Sequence, residues 1–282
     1  MSSGTEPASG GPHMPIGVFA SGVGGLTVLR ALCAVLPAES FIYLGDTARL
    51  PYGTKSEHSV ARYALQAADE LVERGIKCLV VACNTASAAA LPALQQRFGE
   101  LPVVGVIEPG ARAACAATRS GRIAVLATES TVRGGAYAQA IARIRPDAEV
   151  TAIACALFVA LAEEGWTDGP VATAAAERYL APLRAEHAHS PDTIVLGCTH
   201  FPVLKSVIAA AAGPGVRLVD SAATTAQEVR QLLAERGLQR VPDGTPPRFS
   251  FLATDAVHRF AEVGGRFFGA PIAVDEVELI DL

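Results

Sequence analysis

Short runs of β-branched and aromatic residues alternate along this chain with longer stretches rich in Ala and Leu, and that alternation restricts the fold more than any other feature. Strands are expected at 16–19, 41–44, 78–82, 103–107, 123–127, 193–197, 217–219 and 249–252. Strand following helix following strand builds mainly parallel sheets covered by helices, so the fold class is α/β. Between two of the strands, 56–74 carries Val60, Ala64, Ala67, Ala68, Leu71 and Val72 on one helical stripe, with Gly75 as its stop. Half of the residues are hydrophobic and only 18% charged, so the chain has the means to bury a large core.

At 282 residues the chain suits one large or two modest domains. Glu108-Pro109-Gly110 and Gly213-Pro214-Gly215 punctuate it. They predict a first domain made of 16–108 plus 216–282 and a second made of 109–215, the two resembling each other. Residues 1–15 are rich in Gly, Ser and Pro without an apolar core, which predicts a flexible tail and no secretion signal, hence a cytoplasmic protein. The longest apolar run, 152–162, is too short to span a bilayer. A net charge of −5 without any basic run argues against direct nucleic-acid binding. Six scattered cysteines with no Cys-x-x-Cys pair argue against both a disulfide scaffold and a metal site.

Two cysteines stand apart from the rest. Cys83 and Cys198 each follow a buried-strand pattern, 79–82 and 193–197, and each precedes polar residues and a helical stretch. A thiol at the carboxyl end of a strand sits where open α/β sheets build their crevices. A helix N-terminus behind it is expected to lower its pKa. His200, two residues past Cys198, could relay a proton.

Three further segments are candidates. Gly22, Gly24 and Gly25 follow the first strand, in a turn that fits a small carboxylate or serves only close helix packing. The loop 45–53 holds Asp46 and Arg49, which either line the site or pair with each other on the surface. Thr128, Ser130 and Thr131 offer hydroxyls or a helix cap.

Six ordered motifs then carry a resemblance that covers nearly the whole chain from Ile16 onward. They are Ile16-Gly-Val-Phe with Ser21-Gly-Val-Gly-Gly-Leu-Thr-Val28, Gly45-Asp-Thr-Ala-Arg49 with Pro51-Tyr-Gly53, Ala82-Cys-Asn-Thr85, Gly105-Val-Ile with Pro109-Gly-Ala-Arg-Ala113, Leu196-Gly-Cys-Thr-His-Phe-Pro202, and Asp220-Ser-Ala222. The sequence resembles the cofactor-independent aspartate/glutamate racemase family, and glutamate racemases within it. The resemblance implies two similar α/β domains facing one another across a cleft, one cysteine from each, and L- and D-glutamate interconverted between them as a supply for peptidoglycan. It implies Cys83 and Cys198 as the two bases, His200 assisting Cys198, and Glu163 supporting that histidine. Substrate would be held by Ser21, Asn84, Thr85 and Thr199, by the backbone around Pro51, Tyr52 and Gly53, and by Thr128 and Thr131. The resemblance allows a homodimer and, by analogy alone, an interaction with DNA gyrase.

The chemistry is independently sensible. Inverting an α-carbon takes a base on one face and an acid on the other, which a thiolate and a thiol supply. Pyridoxal phosphate would need a Schiff-base lysine, and Lys55, Lys77 and Lys205 lie in no convincing setting, so no cofactor is expected. One departure stands out: the family's first motif reads Asp-Ser-Gly, and here the aspartate's place is taken by Ala20. That leaves open a slowed racemase or a binding or regulatory relative with weakened catalysis, and the two-thiol arrangement by itself would also serve a racemase of aspartate or another small α-acid. Ala156 and Ala160, where relatives carry proline, and Phe201, often tyrosine, are milder departures.

Overall fold

The computed structural model describes residues 11–184 and 190–282. In chain order the elements are β1 (Ile16–Ala20), α1 (Leu26–Val35), β2 (Phe41–Gly45), α2 (Glu57–Glu73), β3 (Cys78–Val81), α3 (Asn84–Phe98), β4 (Val103–Gly105), α4 (Ile107–Ala117), β5 (Arg122–Ala127), α5 (Glu129–Gly134), α6 (Ala136–Ile144), β6 (Glu149–Ala154), α7 (Ala156–Glu164), α8 (Gly169–Arg184), β7 (Thr193–Gly197), α9 (Lys205–Ala212), β8 (Arg217–Asp220), α10 (Ser221–Glu235), β9 (Phe249–Ala253), α11 (Val257–Phe268) and β10 (Val277–Leu279). Two all-parallel sheets result, ordered β10-β9-β2-β1-β3-β4 and β6-β5-β7-β8. Parallel neighbours must be joined by crossovers, and helices supply them.

The smaller sheet repeats the β2-β1-β3-β4 order of the larger one. In each, the chain leaves the first strand toward one side and returns on the other, so the order reverses between β1 and β3 and between β5 and β7. Crevices for ligands open at the carboxyl ends of strands at such reversals. Ser21 and Cys83 lie at one reversal, Thr128 and Cys198 at the other. The echo seen in the two cysteine motifs is thus the same topological position used twice.

The expected α/β architecture with two helix-flanked parallel sheets is present, with adjustments. The helix over 56–74 forms as α2, its Ser56 side chain accepting from the Ser59 N–H and Gly75 taking a φ of +77°. The strand expected over 103–107 ends at Gly105, because Ile107 already opens α4. The apolar run 152–162 divides between β6 and α7. β6 was not anticipated, since it is a half-exposed edge strand, and β10 is only three residues long. The strand 217–220, expected with the C-terminal third of the chain, instead pairs with β7 in the smaller sheet, so that sheet ends past residue 215.

Of the tail expected at 1–15, residues 1–10 lie outside the described residues. Residues 11–15 are tied down: the Lys77 ammonium donates to the Pro12 carbonyl at 2.5 Å and the Lys77 N–H to the Pro15 carbonyl at 3.0 Å. Lys77 also pairs with Glu39 at 2.5 Å, both side chains wholly buried, at the start of β3 and therefore at the opposite end of the strand from Cys83. No helix among the described residues is long and apolar enough to cross a membrane.

Candidate active site

Cys83 occupies the N-cap position of α3, directly after β3, and is 7% exposed. Its thiol points at Ser21 Oγ, 3.7 Å away, just past the end of the neighbouring strand β1. Contrary to the expectation that a helix N-terminus lowers this thiol, burial pushes its pKa up, outweighing the hydrogen bonds from the Ala86 N–H and Ser21. Ala20 itself is fully buried, and a Cβ on Gly25 would come within 2.4 Å of the Ala20 methyl. No acidic side chain is a hydrogen-bond partner of Cys83 among the described residues.

Cys198 has different company. After β7 the chain makes a short 3-10 turn over Phe201–Leu204 before α9 begins, so Cys198 is not followed directly by an α-helix. Its Sγ lies 3.7 Å from His200 Nδ1, and His200 Nε2 lies 3.1 Å from Glu163 Oε1 at the end of α7. Arg259 and Arg266, both from α11, reach Glu163: the first its Oε2 at 3.5 Å, the second its main-chain carbonyl at 3.1 Å. The imidazole also packs edge-on against Phe267, centroids 5.2 Å apart. Helix α11 thus backs the histidine of the other sheet, a part of the site that no motif announced.

Burial works against an imidazolium at His200, but hydrogen bonds to Cys198 and Glu163 outweigh it and lift the pKa to about 9. The Glu163 carboxyl is lowered in turn, chiefly by its bond to His200. A histidine pKa raised on folding stabilises the protein fully below its ordinary value of 6.5, and that contribution disappears as the pH rises through about 9. The rise from 6.5 to about 9 corresponds to at most about 3–4 kcal/mol. Urea unfolding of wild type and His200→Asn at pH 6 and pH 9.5 should show the wild-type advantage shrinking by up to that amount; a gap that does not change with pH contradicts the assignment.

The two sheets meet closely around the thiols. Thr27 Oγ1 on α1 donates to the Thr199 carbonyl at 2.8 Å. A Cβ on Gly24 would fall 2.4 Å from both Cε1 and Nδ1 of His200 and 2.9 Å from Thr199 Oγ1. Of the two roles open to the glycine turn, close approach accounts for Gly24 and Gly25. Thr85, Thr128 and Thr131 form a triangle of hydroxyls, with Oγ1 separations of 3.0, 3.2 and 3.0 Å. Thr128 is the N-cap residue of α5 but makes no side-chain cap bond, so its hydroxyl serves this triangle. Gly53 lies against Thr128, where a Cβ would approach to 2.9 Å.

The loop 45–53 is anchored by buried residues at its two ends, Asp46 and Tyr52, while Ala48, Leu50 and Pro51 between them are exposed. Asp46 is fully buried and accepts from the Tyr52 hydroxyl, from Arg49 Nε at 2.7 Å and from Thr254 Oγ1 at 3.0 Å. Asp46 and Arg49 do pair, but beneath the surface. The Tyr52 side chain is 1% exposed and spent on Asp46, its carbonyl accepts from the Lys55 N–H at 3.1 Å, and Pro51 is exposed. Asn84 has one buried loose end: its Oδ1 accepts from Tyr137, but Nδ2 has no hydrogen-bond partner among the described residues. A buried donor left without a partner fits an anionic ligand oxygen.

Comparison with known proteins identifies the family. The Asp/Glu/Hydantoin racemase family matches residues 16–229. A glutamate racemase of Geobacter metallireducens is 54% identical over 93% of this chain and 95% of its own length. The solved glutamate racemase of Thermus thermophilus, in complex with beta-chloro-D-alanine, is 43% identical with a TM-score of 0.85, over 96% of this chain and 98% of that one. That of Francisella tularensis, in complex with D-glutamate, is 34% identical with a TM-score of 0.88 over the same shares. Matched along most of its length in sequence and in fold, and carrying a thiol at each of two equivalent strand ends, the chain belongs to the Asp/Glu/Hydantoin racemase family.

Proposed function

We propose that this protein is a glutamate racemase that works without a cofactor through Cys83 and Cys198. The observation that carries the reading is the pair of buried thiols at equivalent topological reversals of two sheets pressed together. The names of its relatives supply the substrate. In each turnover the thiolate of one cysteine takes the α-proton, breaking the C–H bond. The electron pair left on carbon accepts the proton of the opposite thiol, which ends as thiolate. Burial that raises the Cys83 pKa makes its thiolate a stronger base, narrowing the gap to the weakly acidic α-carbon. The carboxylates of the substrate are assigned to the Asn84 amide, the Ser21 and Thr199 groups and the hydroxyls of Thr85, Thr128 and Thr131, together with the Tyr52-Gly53 backbone. His200, held by Glu163, returns and reclaims protons on the Cys198 side. The product D-glutamate would supply peptidoglycan, and the site would act in the cytoplasm.

The two half-sites are unequal. Cys198 has a histidine backed by a carboxylate, whereas Cys83 has the neutral hydroxyl of Ser21 and, in place of the family's aspartate, the methyl of Ala20. Enantiomers have equal free energies in water, so kcat/KM must match in the two directions. The asymmetry must therefore appear in kcat and in the isotope effect. The direction in which Cys83 removes the proton is expected to show the lower kcat and the larger primary deuterium effect, and Ala20→Asp should raise that kcat. Circular-dichroism progress curves from protiated and α-deuterated L- and D-glutamate provide the measurement, with aspartate as the competing substrate. Equal kcat values and isotope effects both ways would refute the asymmetry; faster turnover of aspartate would replace the substrate.

A further inference from the structure

Tyr137, in α6, touches the surroundings of both thiols and belongs to none of the motifs. Its ring is seated between two glycines: a Cβ on Gly110 would come within 3.1 Å of its oxygen, and one on Gly197 within 3.0 Å of Cε2. Gly110 lies in α4, which leads from one sheet to the other, and Gly197 ends β7 immediately before Cys198. The phenol donates to Asn84 Oδ1 at 2.8 Å, and Asn84 is the residue that follows Cys83. Both partners are 3% exposed.

A carboxamide has two ends of almost the same shape, and its partners decide which way round it sits. Burial raises the Tyr137 pKa far above the ordinary phenol value, so the hydroxyl stays a donor across the working pH range. In the structure the hydroxyl donates to the oxygen of Asn84, and the amide nitrogen, on the residue between Cys83 and Thr85, is left buried without a partner among the described residues. Turned the other way, the carboxamide would present its oxygen to an anionic substrate and repel it.

We infer that Tyr137 is a positioning residue: it fixes the flip of the Asn84 carboxamide so that Nδ2 is held toward a carboxylate oxygen of the substrate. The inference rests on the reading of Asn84 as a substrate-holding residue. It also accounts for two motif glycines, Gly110 and Gly197, as the space the ring requires.

Tyr137→Phe keeps the ring between its glycines and removes only the hydroxyl. Steady-state kinetics with glutamate should show KM raised about tenfold with kcat much less affected, as expected when binding shared by ground and transition state is lost. In the Asn84→Ala background the same change should leave KM where Asn84→Ala alone puts it. Asn84→Asp keeps the shape and the bond to Tyr137 but replaces the donor with an acceptor. It should raise KM about a hundredfold, measured on protein whose far-ultraviolet circular dichroism matches the wild type at the assay temperature. A purely structural role for the pair predicts no KM change there. If Asn84→Ala raises KM and Tyr137→Phe does not, or if Tyr137→Phe keeps its full effect without Asn84, the positioning role falls while the substrate reading stands. If neither Asn84 variant moves KM, the substrate reading of Asn84 fails, and this inference with it.

Discussion

Cys83→Ala and Cys198→Ala should each lower racemisation of glutamate by about 10³- to 10⁴-fold, the range expected when a positioned acid or base is removed. Each thiol has to serve as base in one direction and as acid in the other, so losing either one stops both. A buried methyl in place of a methylene-thiol costs only about 1 kcal/mol of stability, so the variants should remain folded. Solvent-deuterium exchange separates the half-reactions. Neither variant should convert one enantiomer into the other, and any residual wash-out of the α-proton should come from the single enantiomer whose proton faces the remaining sulfur. A variant that keeps a tenth of wild-type turnover, or wash-out from both enantiomers at equal rates, would remove the two-thiol mechanism.

Gly24→Ala is the second large effect, about 10²-fold or more in kcat, from one added methyl group. The glycine lies outside the left-handed backbone region, so alanine meets no conformational obstacle there. The obstacle is the imidazole, 2.4 Å from the new Cβ against an ordinary contact near 3.5 Å. The turn cannot yield easily. The Gly22 carbonyl is held by the Tyr43 hydroxyl at 2.6 Å and the Gly24 carbonyl by Thr27 at 2.9 Å. His200 is therefore displaced by about an ångström and loses its alignment with both Cys198 and Glu163, and misplacement on that scale is enough for a hundredfold loss. His200→Asn should match Gly24→Ala in kcat, and the alanine should add little in that background. Activity of Gly24→Ala within threefold of wild type would show that the ring tolerates the shift and that its fixed position is unimportant.

The fold was legible where burial on both faces forces continuous apolar runs, as in β1, β3, β5 and β7. It was not legible where a strand is exposed or short. β6, at a sheet edge, has no buried residue and shares its apolar end with the run that becomes α7, and β10 has three residues, so neither shows the doubly buried pattern of a central strand. The end of the smaller sheet was misread at Gly213-Pro214-Gly215 because a turn signal marks a break in secondary structure, not a change of sheet. The pairing of 217–220 with β7 is a long-range choice that no local pattern encodes.

The same division runs through the site. Chemistry depends on residue type, so the thiols, His200, Glu163 and the hydroxyl-bearing residues could be named from motifs. Position and electrostatics depend on neighbours from distant parts of the chain. A helix N-terminus predicted a lowered Cys83 thiol, and desolvation reversed that sign. Asp46 and Arg49 read either as site-lining residues or as a surface pair, and they do pair, with the aspartate fully buried and the arginine partly so. Arg259, Arg266, Phe267 and Tyr137 carry no signature of function, because each acts by holding a residue distant in sequence, Arg266 by the main-chain carbonyl of Glu163 and the others by a side chain. The order of residues alone determined which elements could form, which family the chain resembles and which atoms could move a proton. Tertiary packing alone decided which glycine must stay bare and which way a carboxamide faces, because these are set by distances of a few ångströms between residues as far apart in sequence as 53 and 172 positions.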